Sequence, residues 1–131
     1  MSRLLVDTSA YSAFMRAEPR TVEAIREADQ IFLNATVVGE LLGGFAAGGR
    51  RAKNELELDR FLASPRVQLL DVDEETARRY AEILATLRSA GTPIPTNDLW
   101  IAASAMQYGL QLLTSDNHFR RVPQILTQLI D

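Results

Sequence analysis

Four acidic residues of this chain stand against apolar sequence. Asp7 directly ends the run Leu4-Leu5-Val6 in "RLLVDTSAY", and Glu40 interrupts "VVGELL". Asp98 opens "DLWIAASAM", and Asp116 follows "LQLLTS". A carboxylate beside apolar residues is unfavourable unless a partner or ligand compensates it. The nearest base to Asp7 in sequence is Arg3, on the far side of the apolar run. Four carboxylates brought together repel one another and shift toward neutral forms unless a cation joins them. Ligation by oxygen alone, without His or Cys, suits Mg2+ or Mn2+ rather than zinc. Holding a divalent cation is therefore the chemistry that this set could do.

Taken singly, each acid has a plainer explanation. Asp98 interacts well with a helix N-terminus, Asp116 in "TSDNH" suits a turn, and Asp7 can cap the helix after it. Glu40 is hardest to excuse, because Thr36 supplies the cap of its helix and its neighbours read as core. The acids Glu23, Glu27, Glu55, Glu57, Asp59, Glu74, Glu75 and Glu82 lie in polar helical stretches and read as a solvated face. The four acids together outweigh the separate explanations.

The elements that must position them alternate. "RLLVD" reads as a short buried strand, followed by a helix over "SAYSAFMR" that stops before Pro19. "RTVEAIREAD" is amphipathic, with Val22, Ile25 and Ala28 on one face. A strand "QIFLN", a helix through "VVGELLGGFAAG" and a charged helix "RRAKNELELDRFLAS" ended by Pro65 come next. "RVQLLDV" is a third strand. Asp73 caps the longest helix, which Gly91 ends. "TNDLWIAASAMQYG" is a helix, "LQLLTSD" a fourth strand, "NHFRRV" a short helical turn, and "QILTQLI" closes the chain. Strands separated by helices imply an α/β fold with a mostly parallel sheet, whose ligands lie beyond the carboxyl ends of the strands. Asp7 and Asp116 fall at that edge, and the helix starts carrying Asp98 and Glu40 should face it.

With 131 residues and no linker, the chain reads as one domain over 1–131. No signal-peptide pattern or membrane-length apolar run is present, so the expectation is a cytoplasmic protein with no membrane partner. Cysteine is absent and histidine occurs once, at His118, which excludes Cys/His zinc sites and cysteine nucleophiles. Neither common phosphate-cradling glycine motif occurs. Thirteen of the 14 basic residues are arginines, Lys53 being the exception. Arginine suits bidentate phosphate contacts, and genome composition explains the same bias. The net charge of −3 does not exclude nucleic acid: with four of the 17 acids on a metal, 13 remain against 14 bases.

"LLVDTSAY", "TVVGELLGG", "PTNDLWIAASAMQYG" and "LLTSDNHF" resemble, in order and spacing, the motifs of PIN-domain ribonucleases, most closely the VapC-type toxins of toxin–antitoxin pairs. The resemblance covers nearly the whole chain. It implies a three-layer α/β/α sandwich around a central, mostly parallel sheet, with an acidic pocket binding one or two Mg2+ or Mn2+ ions. By motif, Asp7, Asp98 and Asp116 would be direct metal ligands, and Glu40 would reach the metal through water or orient the attacking water. Thr114 matches a hydroxyl residue lining the pocket, and Thr8 and Ser9 would help to order Asp7. Metal ions suit phosphodiester hydrolysis, since they lower the pKa of bound water and neutralise charge on the phosphate. The implied substrate is RNA, with tRNA and rRNA as possible targets. The implied partners are a VapB-type antitoxin and a second copy of the chain.

His118 either stands at the pocket rim touching RNA or is an ordinary capping or surface residue. Phe119 and Trp100 read as packing. In "GGFAAGGRR", Gly43 and Gly44 could admit a partner or RNA backbone, while Gly48 and Gly49 end one helix and begin the next turn. The resemblance sets the surrounding helix pair beside the groove that receives the antitoxin. Two alternatives stay open: a PIN-type RNA-processing nuclease without a toxin role, and a non-catalytic domain that binds RNA or protein.

Overall fold

The computed structural model describes residues 2–130, so the end positions of the expected 1–131 span lie outside the described residues. In chain order the elements are β1 (Arg3–Val6), α1 (Thr8–Met15), α2 (Pro19–Glu27), β2 (Gln30–Asn34), α3 (Ala35–Ala47) and α4 (Arg51–Leu62). Then follow β3 (Val67–Leu70), α5 (Glu74–Ala90), α6 (Thr96–Tyr108), β4 (Gln111–Thr114), a 3-10 turn over Asn117–Arg121, and β5 (Thr127–Leu129). The closing segment thus supplies a fifth, short strand.

The sheet runs β3-β2-β1-β4-β5, and every pairing is parallel. β1 is central: Leu5 pairs with Phe32 on one side and Leu112 on the other. Helices cover it on both faces, which is why Leu4, Leu5 and Val6 are all apolar and all buried. The chain builds outward from β1 through β2 and β3, and later returns to its other side with β4 and β5. The C-terminal ends of β1 and β4 therefore flank the point where the winding reverses, and such points open a crevice in α/β sheets.

Local signals explain most boundaries. Asp73 and Thr76 form a reciprocal capping box at the start of α5, and Gly91 ends that helix in the left-handed region, at φ 68°. Gly48 is the C-cap of α3, and a side chain at Gly43 or Gly44 would meet nothing within 4 Å. Thr36 does not cap α3. Asn34, the buried last residue of β2, accepts from the Val37 amide at 2.9 Å and donates to Ser104 Oγ at 2.9 Å. Its extended backbone lets the helix start two residues earlier than Thr36 would allow. The apolar stretch after Glu40 is also less buried than its composition suggests, since α3 buries Val37 and Leu41 but leaves Leu42 exposed. Phe119 is core, and Trp100 stacks on Tyr80 with ring centroids 4.3 Å apart. Among the described residues no helix is long and apolar enough to cross a membrane.

Candidate active site

Asp7 sits in extended backbone at the junction of β1 and α1 and is 3% exposed. One carboxylate oxygen, Oδ1, accepts from the Ala10 amide at 2.8 Å and from Ser9 Oγ at 2.7 Å. The other, Oδ2, accepts from Thr114 Oγ1 at 2.5 Å. Asp7 is therefore both a helix cap and a member of the acidic group. Burial pushes its carboxyl above the ordinary value; the three hydrogen bonds oppose that shift, and the nearby charge of Asp98 adds to it.

Thr114, the last residue of β4, is fully buried behind Asp7 and does not line the cleft. Its hydroxyl donates to Asp7 and accepts from the Asp116 amide at 2.9 Å, so it couples two of the acids. Ser9 also contacts this pair, at 3.3 Å from Thr114 Oγ1, and accepts from the Ser115 amide at 3.0 Å.

Asp98 lies in the first turn of α6 without capping it; the cap position is Pro95, which makes no side-chain cap bond. Burial raises its carboxyl above the ordinary value, contact with His118 opposes this, and the charges of Asp116 and Glu40 reinforce it. Asp116 opens the 3-10 turn by accepting from the His118 amide at 2.9 Å. Asp116 thus forms the turn and also lines the cleft with the other acids. The His118 ring folds back so that Nδ1 stands 3.2 Å from Asp98 Oδ2 and 3.0 Å from Asp116 Oδ1.

Glu40 is held by two residues that sequence reasoning placed elsewhere or passed over. Thr8 Oγ1 donates to Oε1 at 2.6 Å, so Thr8 orders Glu40 rather than Asp7. Asn97 Nδ2 donates to Oε2 at 3.1 Å, and its only mark in the sequence is adjacency to Asp98.

All four acids line one open cleft of about 260 Å³, together with Ser9, Ser12 and Ile101. Among the described residues no Lys or Arg lines it. A larger cavity of about 490 Å³ near Arg3, Gly109 and Gln111 holds no carboxylate, so carboxylate chemistry rather than size selects the site. Convergent acids, with the Asp7 and Asp98 carboxyls raised, and no basic side chain from the lining are a donor set suited to a divalent cation. Among the described residues, Asp98, Asp116 and His118 each bring one ligand atom within 4.8 Å of the others, so the tightest donor group includes one nitrogen; Asp7 and Glu40 line the same cleft outside that group.

The PIN domain family model matches residues 4–125. The chain is 32% identical over 125 residues to Ribonuclease VapC4 of Mycobacterium tuberculosis, spanning 94% of this chain and 93% of that protein. It is 34% identical over 122 residues to VapC ribonuclease Y4jK of Sinorhizobium fredii, covering 86% of each. A chain in the crystal structure of DNA-bound VapBC from Salmonella typhimurium matches the fold with a TM-score of 0.86, at 24% identity and 98% coverage of both chains.

Proposed function

The chain belongs to the PIN-domain family, and on that premise we propose that it is a Mg2+- or Mn2+-dependent endoribonuclease, the toxin of a VapBC-type pair. The observation that carries this reading is the meeting of Asp7, Glu40, Asp98 and Asp116 around one cleft, from four separate elements or junctions. The names of the two relatives, both ribonucleases, support the choice of RNA as substrate. The catalytic unit is the whole chain, 1–131, acting as one domain in the cytoplasm.

Asp7, Asp98 and Asp116 would hold the metal directly. A bound cation supplies positive charge for the scissile phosphate and a water of lowered pKa. Asp7 is preset by Ser9, Ala10 and Thr114, so its carboxylate needs little reorganisation. Glu40 is held back by Thr8 and Asn97 and orients the attacking water, accepting its hydrogen bond. The open cleft leaves room for an RNA strand to cross it. The antitoxin lies along α3 and α4, where Leu42 and Leu56 are exposed and Gly43 and Gly44 leave the backbone uncovered. A basic side chain that it directs into the acidic cleft would inhibit the enzyme. A second copy of the chain completes the expected assembly.

Purified protein incubated with total cellular RNA tests the reading, with Mg2+ or Mn2+, with EDTA, and beside Asp7→Asn as a control for contaminating nuclease. Discrete bands that need metal and vanish in the variant are the expected result. A folded, metal-binding protein that cuts no RNA under either metal would overturn the catalytic assignment.

A further inference from the structure

We propose that His118 is a nitrogen ligand of the metal site, binding through Nδ1 beside Asp98 and Asp116 and biasing the site from Mg2+ toward Mn2+. The inference rests on the reading of the cleft as a metal centre, and goes beyond it by adding a donor that the four-acid set lacks.

Spacing is the first argument. Nδ1 lies 3.2 Å from Asp98 Oδ2 and 3.0 Å from Asp116 Oδ1. Adjacent ligands of an octahedral cation held at about 2.1 Å stand about 3 Å apart. Nδ1 thus already stands at the separation of a coordination-shell neighbour from each of the two carboxylate oxygens, and one ligand atom from each of the three residues lies within 4.8 Å of the others. The ring also faces two carboxylates from different elements, α6 and the end of β4, where a simple capping contact would need only one.

Anchoring is the second argument. The backbone amide of His118 is tied to Asp116 Oδ1 at 2.9 Å, so ring and acid stand on the same turn. The next residue, Phe119, is 1% exposed and pins that turn to the core. The ring is therefore delivered to the cleft by the fold. Its side chain is 40% exposed, so with Nδ1 on a metal, Nε2 keeps its proton and presents it to water.

Chemistry supplies the preference. Mg2+ is a hard cation that favours oxygen, whereas imidazole suits first-row transition ions. One nitrogen among carboxylates makes the site mixed, and Mn2+ accepts that mixture more readily than Mg2+.

Because the chain has a single histidine, 15N-histidine labels position 118 alone. Electron spin-echo modulation of Mn2+ bound to the full, tag-free chain should carry an imidazole 14N signal that becomes a 15N signal on labelling. His118→Gln should abolish it and weaken Mn2+ binding in calorimetry by about tenfold or more, with a smaller change for Mg2+. Mn2+ that binds wild type, is lost in Asp98→Asn, and carries no imidazole signal would overturn this proposal alone. Mn2+ that fails to bind wild type would overturn the metal-centre reading and this proposal with it.

Discussion

The floor and the rim of the cleft are built by different means. At the floor, Asp7 is 3% exposed and three donors close on its carboxylate. Those donors come from the first turn of α1 and from β4, the strand that pairs with β1, so completing the sheet completes the floor. At the rim, the Asp98 and Asp116 side chains are 16% and 33% exposed, and the group between them is the still more exposed His118. Backbone register fixes the floor; side-chain contacts fix the rim. A buried carboxylate with preset partners can hold one half of a site rigid, while an exposed cluster adapts to what enters.

The severest way to break the comparison is Asp7→Asn. Removing the floor's charge should lower kcat/KM by roughly a thousandfold or more, since bound metal contributes several kcal/mol to the transition state and each decade is about 1.4 kcal/mol. The same change should raise the melting temperature of metal-free protein. Burial holds the Asp7 carboxyl above its ordinary value of 3.8, so its contribution to stability is complete below that value and is lost as pH rises through the raised one. Melts in EDTA from about pH 4 to about pH 8 should show variant and wild type alike at the acid end and the variant increasingly ahead toward neutrality. A variant that melts lower at neutral pH would mean that the floor is stabilised by its charge rather than strained by it.

Thr114→Val sharpens the comparison without touching a ligand. It leaves Asp7 one donor short and the Asp116 amide without its acceptor, in a fully buried position. Activity should fall about 10- to 100-fold, the range for residues that orient metal ligands. Stability should fall by about 1–3 kcal/mol, the cost of buried polar groups left unpaired. Thr114→Ser should restore most of both. If Val matches wild type in metal affinity and turnover, register alone orients Asp7 and the hydroxyl is packing.

The same division explains what the sequence could reveal. Asp7, Asp98 and Asp116 stood out because each follows or opens an apolar run, and where a strand or helix ends is written locally. The parallel sheet followed from the alternation of elements for the same reason. Partners were not legible, because they depend on which residues the fold brings back from a distance. Thr8 adjoins Asp7 yet bonds to Glu40, 32 positions on. Asn34 displaces Thr36 as the cap because Ser104, 70 positions away, also holds its amide. His118 could not be placed at the rim acids without knowing that the turn after β4 folds back over α6. In β5, three half-buried residues make too weak an alternation to mark a strand.

Asn97→Ala gives the smallest expected effect and separates a third region, the wall formed by Glu40, from both floor and rim. Asn97 is an exposed residue whose amide holds Glu40 Oε2 at 3.1 Å, while Thr8 holds Oε1 at 2.6 Å. Losing one of two orienting bonds should reduce kcat by about three- to tenfold, a fraction of the 10²–10⁴ typical of a whole acid–base group. Stability should change by less than about 0.5 kcal/mol, as for most surface substitutions. If Glu40 acts on water as proposed and is not a direct ligand, metal affinity should not move, whereas Thr114→Val and His118→Gln should both move it. Combining Asn97→Ala with Thr8→Val should bring kcat down to that of Glu40→Gln, since both bonds act through one carboxylate. A double variant that instead loses metal binding would transfer Glu40 from the wall to the ligand set.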